Sequence, residues 1–292
     1  GDGIPVNVND TGVDATHPDL EGRVFPGNPL DGSVLRDLNG HGTHVAGTIA
    51  SSGENSPSTN GIPGSAENIN LNTNNFRGMA PDAHIYALPI DLASGPLQSD
   101  AYIQEQAATR NYVDEGREDP IVSNNSWGYI GAFSYNSSAA SYDQAVRDAL
   151  PAMSGDQPII YVFSAGNSGS GNTNGTGGQI GTIGSPGNAK NVITVGAIDS
   201  FRDITNLVYT TNAVGTVSTN TPFLGNTDSD NEVTSFSSRG NTGVGVEGRY
   251  GRFKPDVVAP GAFTISTRSS DWEDPTGFSN VEVVRYENQT VQ

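Results

Sequence analysis

Short apolar runs alternate with stretches of helical periodicity along most of this chain. The apolar runs predict a strand ending near Asp10 and further strands at 84–90, 121–127, 158–163, 191–198, 254–261 and 281–286, the last in a hairpin. Helices are predicted at 41–51, 101–118 and 138–153. Strands that alternate with helices favour a mainly parallel sheet with helical crossovers, and thus an α/β fold.

Two long polar segments without periodicity, 53–77 and 199–232, interrupt this pattern and are interpreted as surface insertions. The glycine-rich segment 168–187 shows neither helical nor strand periodicity. We find no internal repeat and no change of composition that would mark a second domain. The sequence therefore predicts one α/β domain across residues 1–292 with two insertions.

Four polar side chains stand at places where a ligand could be bound. Asp10, Ser126 and Asn167 follow apolar runs, at the edge of a parallel sheet where ligands bind, and His41 begins a predicted helix. Singly, each has an ordinary explanation: a turn carboxylate, a helix cap, a loop hydroxyl, a turn amide. Together they supply an orienting carboxylate, an imidazole base and an oxyanion donor, the requirements of a hydrolase. Their order leaves the last place for a nucleophilic serine.

Composition removes several other classes of protein. The chain has 14 Lys and Arg against 32 Asp and Glu, a net charge of −18, which disfavours binding to nucleic acid. The absence of cysteine excludes disulfides, thiolate metal sites and a cysteine nucleophile. The apolar runs fall far short of the roughly 18 residues that span a bilayer, so we expect no membrane span.

Six segments, in this order, are similar to those of the subtilisin-like serine proteases, the subtilases. They cover residues 4–270 approximately and are Asp10-Thr11-Gly12 with His17-Pro18-Asp19-Leu20, Gly40-His41-Gly42-Thr43-His44-Val45-Ala46-Gly47, Ser126-Trp127-Gly128, Ala165-Gly166-Asn167, Ser235-Phe236-Ser237-Ser238-Arg239-Gly240, and Lys254-Pro255-Asp256-Val257-Val258-Ala259-Pro260-Gly261. The resemblance implies a three-layer sandwich, in which helices flank a central mainly parallel sheet, and a secreted serine endopeptidase acting on proteins and peptides.

The resemblance also assigns roles. His41, rather than His44, would be the general base, Asp10 would orient its imidazole, and Asn167 would donate to the oxyanion. Substrate would pair as an added strand with Ser126, Trp127 and Gly128, where the large Trp127 side chain could restrict a subsite. The pocket beside the scissile bond would be walled by Ser164, Ala165 and Gly166 with Ser185-Pro186, which by analogy forms a cis peptide.

The nucleophile of the family is missing from this sequence. No Gly-Thr-Ser-x-Ala box occurs, and 31 residues follow Gly261. We expect the box just beyond Gln292, displaced by an insertion, so that the C-terminal part of the catalytic domain is incomplete here. Ser237 and Ser238 belong to a structural segment, and Ser269 and Ser270 to a variable loop. We expect residues 1–292 alone to be inactive and to need the C-terminal remainder of their own domain.

Calcium is the cofactor that the resemblance implies, in a structural role. Asp19 matches a calcium ligand of the family, whose partners would come from the insertion 53–77. Asp256 would serve a weaker cation site near residues 185–190. Two acidic stretches, 227–232 and 271–274, either hold further cations or are solvated loops.

Two other functions compete with the serine protease. Asp10-Thr11-Gly12 is also the motif of an aspartic protease, but that chemistry requires a second carboxylate in a repeated motif, which the sequence lacks. Alternatively, the chain is a catalytically inactive subtilase-like scaffold used for binding or adhesion. Loss of the serine box favours the scaffold, whereas the intact Asp10, His41 and Asn167 argue against it.

Overall fold

The structure, a computed structural model, describes residues 3–28, 31–56, 76–90, 99–108, 122–205, 208–211 and 217–272, with two short strands near the end of the chain. Its strands are β1 Pro5–Asp10, β2 Val24–Pro26, β3 His84–Pro89, β4 Val122–Asn125, β5 Ile160–Ser164, β6 Ile193–Ile198, β7 Val208–Thr211, β8 Val217–Asn220, β9 Val257–Pro260, β10 Arg285–Tyr286 and β11 Gln289–Thr290. Its helices are α1 His41–Ala50, α2 Asp100–Ala108 and α3 Ser137–Ala145, with short 3₁₀ helices at Gly32–Leu35 and Leu224–Asn226.

Seven strands form one sheet in the order β2-β3-β1-β4-β5-β6-β9, and every pair in it is parallel. The predicted parallel sheet is therefore confirmed. Because all strands run the same way, the residues that follow β1, β4, β5 and β6 meet at one edge. This edge carries the polar residues that the sequence singled out.

Helices cover both faces of the sheet and make it the middle of a three-layer sandwich, as predicted. On one face, α1 buries Ala46 and Ala50 against the valines of β1 and the neighbouring side chains of β3. On the other face, α2 and α3 pack over Tyr161 and Phe163 of β5. The register of β1, β4 and β5 explains this division, because Val8 lies beside Asn124 and Val162, whereas Asn9 lies beside Asn125 and Phe163.

Two predicted helices differ from the observed ones. Helix α3 ends at Ala145 instead of residue 153: the Arg147 N–H donates to the Gln144 carbonyl oxygen in a tighter turn, the Ala149 N–H donates to Gln157 instead of continuing the ladder, and Pro151 excludes a resumed helix. Helix α2 is described only to Ala108, and residues 109–121 lie outside the described part of the chain. No helix among the described residues is long and apolar enough to cross a membrane.

The predicted insertions contain some regular structure. Segment 199–232 holds the antiparallel hairpin β7–β8 and the second 3₁₀ helix. Most of segment 53–77 lies outside the described residues. Of the predicted strand 281–286, only β10 is described, and it pairs with β11.

Candidate active site

Asp10 and His41 form a direct pair at the carboxyl edge of the sheet. Asp10 ends β1 and is 1% exposed, and its Oδ1 lies 2.6 Å from His41 Nδ1. The backbone N–H of Thr11 donates to the same oxygen at 2.8 Å. The imidazole keeps 41% of its side-chain surface exposed. A buried carboxylate thus holds an accessible imidazole, with Nε2 as the nitrogen left for chemistry.

The start of α1 is packed tightly enough to set this distance. A Cβ on Gly42 would lie 2.0 Å from the carbonyl oxygen of Gly12, so only glycine lets the helix approach the loop after β1 this closely. The Gly42 N–H donates to Thr11 Oγ1 at 2.9 Å, which ties the first turn of α1 to the residue next to Asp10. The sequence box around His41 therefore fixes the backbone as well as the imidazole.

The two histidines of α1 differ in their electrostatics. Burial opposes the charged form of His41, but the hydrogen bond and charge of Asp10, with the charge of Asp37, outweigh it and raise the His41 pKa. Burial lowers the pKa of His44, whose Nε2 lies 3.0 Å from the Thr264 carbonyl oxygen. Of these two histidines, only His41 has a carboxylate hydrogen-bonded to its ring, which supports His41 as the base.

Asp37 is a buried residue of the site that our sequence analysis missed. Its Oδ1 accepts hydrogen bonds from Thr11 Oγ1 and the backbone N–H groups of Asn39 and Gly40, and its Oδ2 from the backbone and hydroxyl of Thr43. One carboxylate thereby joins the loop after β1 to the N-terminus of α1. An acidic residue just before a helix start is a capping signal that could have indicated it.

We expect Asp37→Asn to lower the free energy of unfolding by about 2–3 kcal/mol. An amide nitrogen would replace one of two oxygens that face only donors, leaving buried N–H or O–H groups without an acceptor. Chemical denaturation of the full-length protein measures the loss. Asp31→Asn, the same change at a partly exposed turn, is the control and should cost less than about 0.5 kcal/mol. Equal losses for the two variants would contradict the assigned role.

The loop after β5 presents Asn167 at the same edge of the sheet. Ser164 and Asn167 are exposed, and Gly166 has a φ of +99°, a conformation that favours glycine. The Ser238 N–H donates to the Gly166 carbonyl oxygen at 2.8 Å, and the Ser168 N–H donates to Ser238 Oγ at 3.1 Å. Ser238 therefore has the structural role that was predicted.

The segment after β4 corrects one expectation about substrate binding. Trp127 is 6% exposed, packs against Tyr142 and Phe163, and donates its indole N–H to Asn125 Oδ1. Its side chain therefore belongs to the core and cannot restrict a subsite. Ser126 and Gly128 are half-buried. Ser185 lies beside Gly128, and the Ser185-Pro186 peptide is cis, as predicted.

Among the described residues, His41 Nε2 makes no hydrogen bond with a serine hydroxyl. Ser269 Oγ donates to the Asp37 carbonyl oxygen, and the N–H and hydroxyl of Ser270 donate to Asp14 Oδ2. Ser237 Oγ accepts from the Ala197 N–H. These contacts are structural, in keeping with the prediction that none of these serines is the nucleophile.

The Asp19 carboxylate has surroundings that fit a hard cation. Its Oδ1 accepts from the Asn55 N–H at 3.0 Å and its Oδ2 from Ser51 Oγ at 3.1 Å, so each oxygen keeps a second lone pair. A cavity of about 100 Å³ beside it is lined in part by Ser51, Asn55 and Ser56. Further ligands expected from the insertion fall on residues 57–75, outside the described part.

Asp256 is already paired with a cation of the protein itself. Its Oδ2 lies 2.5 Å from the Lys254 ammonium and accepts from the Thr194 N–H at 2.7 Å. Lys254 also donates to the carbonyl oxygen of Val192. A metal ion at Asp256 stays a prediction, and this ion pair argues against it.

Comparison with known proteins gives the family. The sequence profile of the Subtilase family matches residues 1–284. The chain is 32% identical over 274 residues to the serine protease AprX of Bacillus subtilis (strain 168), which covers 92% of this chain. The chain belongs to the subtilase family. Its sheet and flanking helices are also similar to a solved structure, the S41 psychrophilic protease, with 28% identity, a TM-score of 0.53 and coverage of 91% of this chain and 69% of that one.

This subtilase chain matches AprX over 92% of its own residues. It spans only about half the length of AprX, namely 48%. A second relative, an intracellular serine protease of Paenibacillus polymyxa, is 36% identical over 110 residues, which are 36% of this chain and 28% of that protein. Family membership supports serine protease activity in general.

Proposed function

We propose that this subtilase chain supplies Asp10, His41 and Asn167 to the active site of a serine endopeptidase. The observation that carries the proposal is the 2.6 Å contact between the buried Asp10 carboxylate and the exposed imidazole of His41. In the proposed mechanism, Nδ1–H of His41 donates to Asp10, and Nε2 takes the proton of the nucleophile and returns it to the leaving amine. Asp10 fixes the tautomer and stabilises the imidazolium.

We further propose that the nucleophile is a serine on a segment outside residues 1–292, the C-terminal continuation of the same domain. Helix α1 covers only part of its face of the sheet. Farther along that face, Ile160, Ile193 and Val257 are 47%, 39% and 51% exposed. Three neighbouring apolar side chains on a sheet face favour a packing partner.

A cavity beside α1 supports the same placement. It has a volume of about 370 Å³ and lies between α1 and the ends of β4, β5, β6 and β9. Its lining includes His44 and Thr48 on one side and Val162, Val195 and Ala259 on the other. Asn167 lies at its border, so a helix seated there would bring its first residues close to the oxyanion donor. Residues 1–292 alone would then hydrolyse no peptide.

Substrate binding is proposed to use main-chain groups of two neighbouring segments. Ser126, Trp127 and Gly128 extend β4 and would pair with the substrate as an added strand. Ser164 ends β5 beside them, and Ser164, Ala165 and Gly166 would line the pocket of the residue before the scissile bond. The buried Trp127 side chain leaves the subsites to be shaped by other residues.

We expect Asn167→Ala to lower kcat by about 10²–10³-fold with little change in KM, because the lost amide acts on the charge of the tetrahedral intermediate. Initial rates on a chromogenic peptide amide measure the effect in the full-length protein. Asn174→Ala removes an exposed turn amide whose Oδ1 accepts from Thr176 and serves as the matched control, within about twofold of wild type. A KM effect alone would contradict the oxyanion role.

The alternatives predict different inhibition. A catalytically inactive scaffold would cleave no peptide amide as the full-length protein. An aspartic protease would resist sulfonyl fluorides and lose activity with pepstatin; the pairing of Asp10 with an imidazole instead of a second carboxylate argues against it. The proposal requires amide hydrolysis that phenylmethylsulfonyl fluoride abolishes and pepstatin does not.

Structural calcium at Asp19 and secretion of the protein are further proposals. The Asp19 surroundings support the first, with Asp19, Ser51 and Asn55 as residues that would contribute oxygen ligands. The second rests on the resemblance to secreted subtilases, whereas one relative is named an intracellular protease. Fractionation of the native host with an antibody to this chain distinguishes the two compartments.

A further inference from the structure

Three carboxylates converge at the end of β6, away from Asp10 and His41. Asp199 follows the last residue of this strand, and Asp228 and Glu232 lie at the end of the insertion 199–232. One oxygen from each of the three lies within 4.8 Å of the other two. Ligands on opposite sides of a Ca²⁺ ion are about 4.8 Å apart, because Ca–O distances are about 2.4 Å. The three oxygens therefore have the spacing of ligands to one ion.

Within this cluster, the burial of Asp199 is the observation that indicates a bound ligand. Its side chain is 1% exposed, and within the described part of the chain neither of its carboxylate oxygens accepts a hydrogen bond. Buried carboxylates without a partner are costly and are normally paired or bound to a metal. The charges that act on it are those of two further carboxylates, Asp228 and Glu232, which add repulsion instead of compensation.

The backbone holds the three side chains in place without an ion. The Asp199 N–H donates to the Glu232 carbonyl oxygen at 2.9 Å, and Ile198 and Val233 form an antiparallel bridge. The N–H groups of Arg202 and Asp203 both donate to the Thr227 carbonyl oxygen. These hydrogen bonds fix both ends of the insertion 199–232 to the end of β6. An ion could therefore bind without a rearrangement of the backbone that carries the three carboxylates.

We propose that Asp199, Asp228 and Glu232 bind one hard divalent cation, Ca²⁺ above all, distinct from the cations predicted at Asp19 and Asp256. All three donors are carboxylate oxygens, which Ca²⁺ prefers and soft metals do not. Asp228 is exposed and Glu232 half-buried, so water can complete the six to eight ligands that the ion takes, an approximate range.

The charge of the cluster supports this assignment. The three carboxylate oxygens lie within 4.8 Å of one another, so their negative charges repel each other without an ion, and a bound cation would remove that repulsion.

The position of the site indicates what the ion would stabilise. Val233 leads directly into the segment 235–238, whose backbone holds the loop after β5: the Gly169 N–H donates to Phe236 and the Gly171 N–H to Ser235, both to carbonyl oxygens. An ion between Asp199 and Glu232 would fasten the beginning of this segment to the end of β6. It would thereby stabilise the structure that carries Asn167, whether or not the chain is catalytic.

Calcium titration of the full-length, metal-stripped protein by calorimetry tests the proposal. We expect Asp228→Asn and Glu232→Gln each to bind one Ca²⁺ fewer than wild type, or to bind it at least tenfold more weakly. Asp230→Asn, the same charge change at an exposed residue of the same loop outside the cluster, should bind as wild type. Asp228 is exposed, so its substitution should leave folding intact, unlike a change at the buried Asp199.

Thermal unfolding gives a second readout of the same site. Added Ca²⁺ should raise the Tm of wild type and of Asp230→Asn by more than it raises the Tm of Asp228→Asn or Glu232→Gln. Identical stoichiometry, affinity and calcium-induced shift in all four proteins would overturn the proposal. Its failure would leave the protease proposal untouched, because peptide hydrolysis is measured separately.

Discussion

His41→Gln lowers kcat on a peptide amide by about 10⁶-fold in the full-length protein, the largest effect that we expect from one substitution. Glutamine retains a polar side chain of similar length but cannot take up and return a proton at neutral pH. The loss follows from the pairing of His41 with Asp10 and from the exposure of its ring, which leaves Nε2 accessible to a nucleophile. Single-turnover kinetics under saturating substrate measure it.

The matched control is His84→Gln. His84 begins β3, at the opposite edge of the parallel sheet from Asp10, and its ring contacts Phe25. The same exchange there should leave kcat within about twofold of wild type. Comparable losses at the two positions would show that removal of any histidine damages the protein, and would contradict a specific role for His41.

Asp10→Asn should lower kcat by about 10⁴-fold, because the amide no longer fixes the tautomer or stabilises the imidazolium. It should also move the acid limb of kcat/KM to lower pH. The base must be neutral, and Asp10 is the main group that raises the His41 pKa above the ordinary 6.5, whereas burial lowers it. With the carboxylate removed, burial dominates, so His41 loses its proton at a lower pH than in wild type.

The pH profile separates a positioning role from a merely structural one. Asp14→Asn is the control, since Asp14 is also buried beside the loop after β1 but binds Thr16 and Ser270. That change should cost stability without moving the acid limb. An unmoved acid limb in Asp10→Asn, at whatever residual rate, would contradict the proposed coupling between the two side chains.

The sequence predicted the parts of the fold that follow from periodicity. The strand predicted to end near Asp10 is β1, and the apolar runs placed the other parallel strands within a few residues, except the short edge strand β2, which was not predicted. The helix predicted at 41–51 is α1, and Gly42 lets it approach the loop after β1 closely. These features depend on local pattern, which a sequence carries directly.

The local pattern did not predict polar contacts between residues far apart in the sequence. Asp37 accepts a hydrogen bond from Thr11, 26 positions away, and Asn9 donates to Asn125 at 2.6 Å and thereby joins β1 to β4 beneath the site. An acidic residue before a helix could have indicated the bonds of Asp37 to α1, but no period or spacing marks its contact with Thr11 or the contact between Asn9 and Asn125. The prediction that the Trp127 side chain could restrict a subsite was wrong for a different reason. Its position in a substrate-binding motif suggested exposure, but Trp127 lies two residues beyond Asn125 and continues the alternation of β4 toward the core.

Asp10 and His41 are proposed to serve a serine nucleophile. Labelling of the full-length protein with a fluorophosphonate, followed by mass mapping of the modified peptide, identifies that nucleophile directly. We expect one labelled serine, outside residues 1–292, and much slower labelling in His41→Gln than in His84→Gln. A label on a serine within residues 1–292, or no label on folded, calcium-loaded protein, would contradict it.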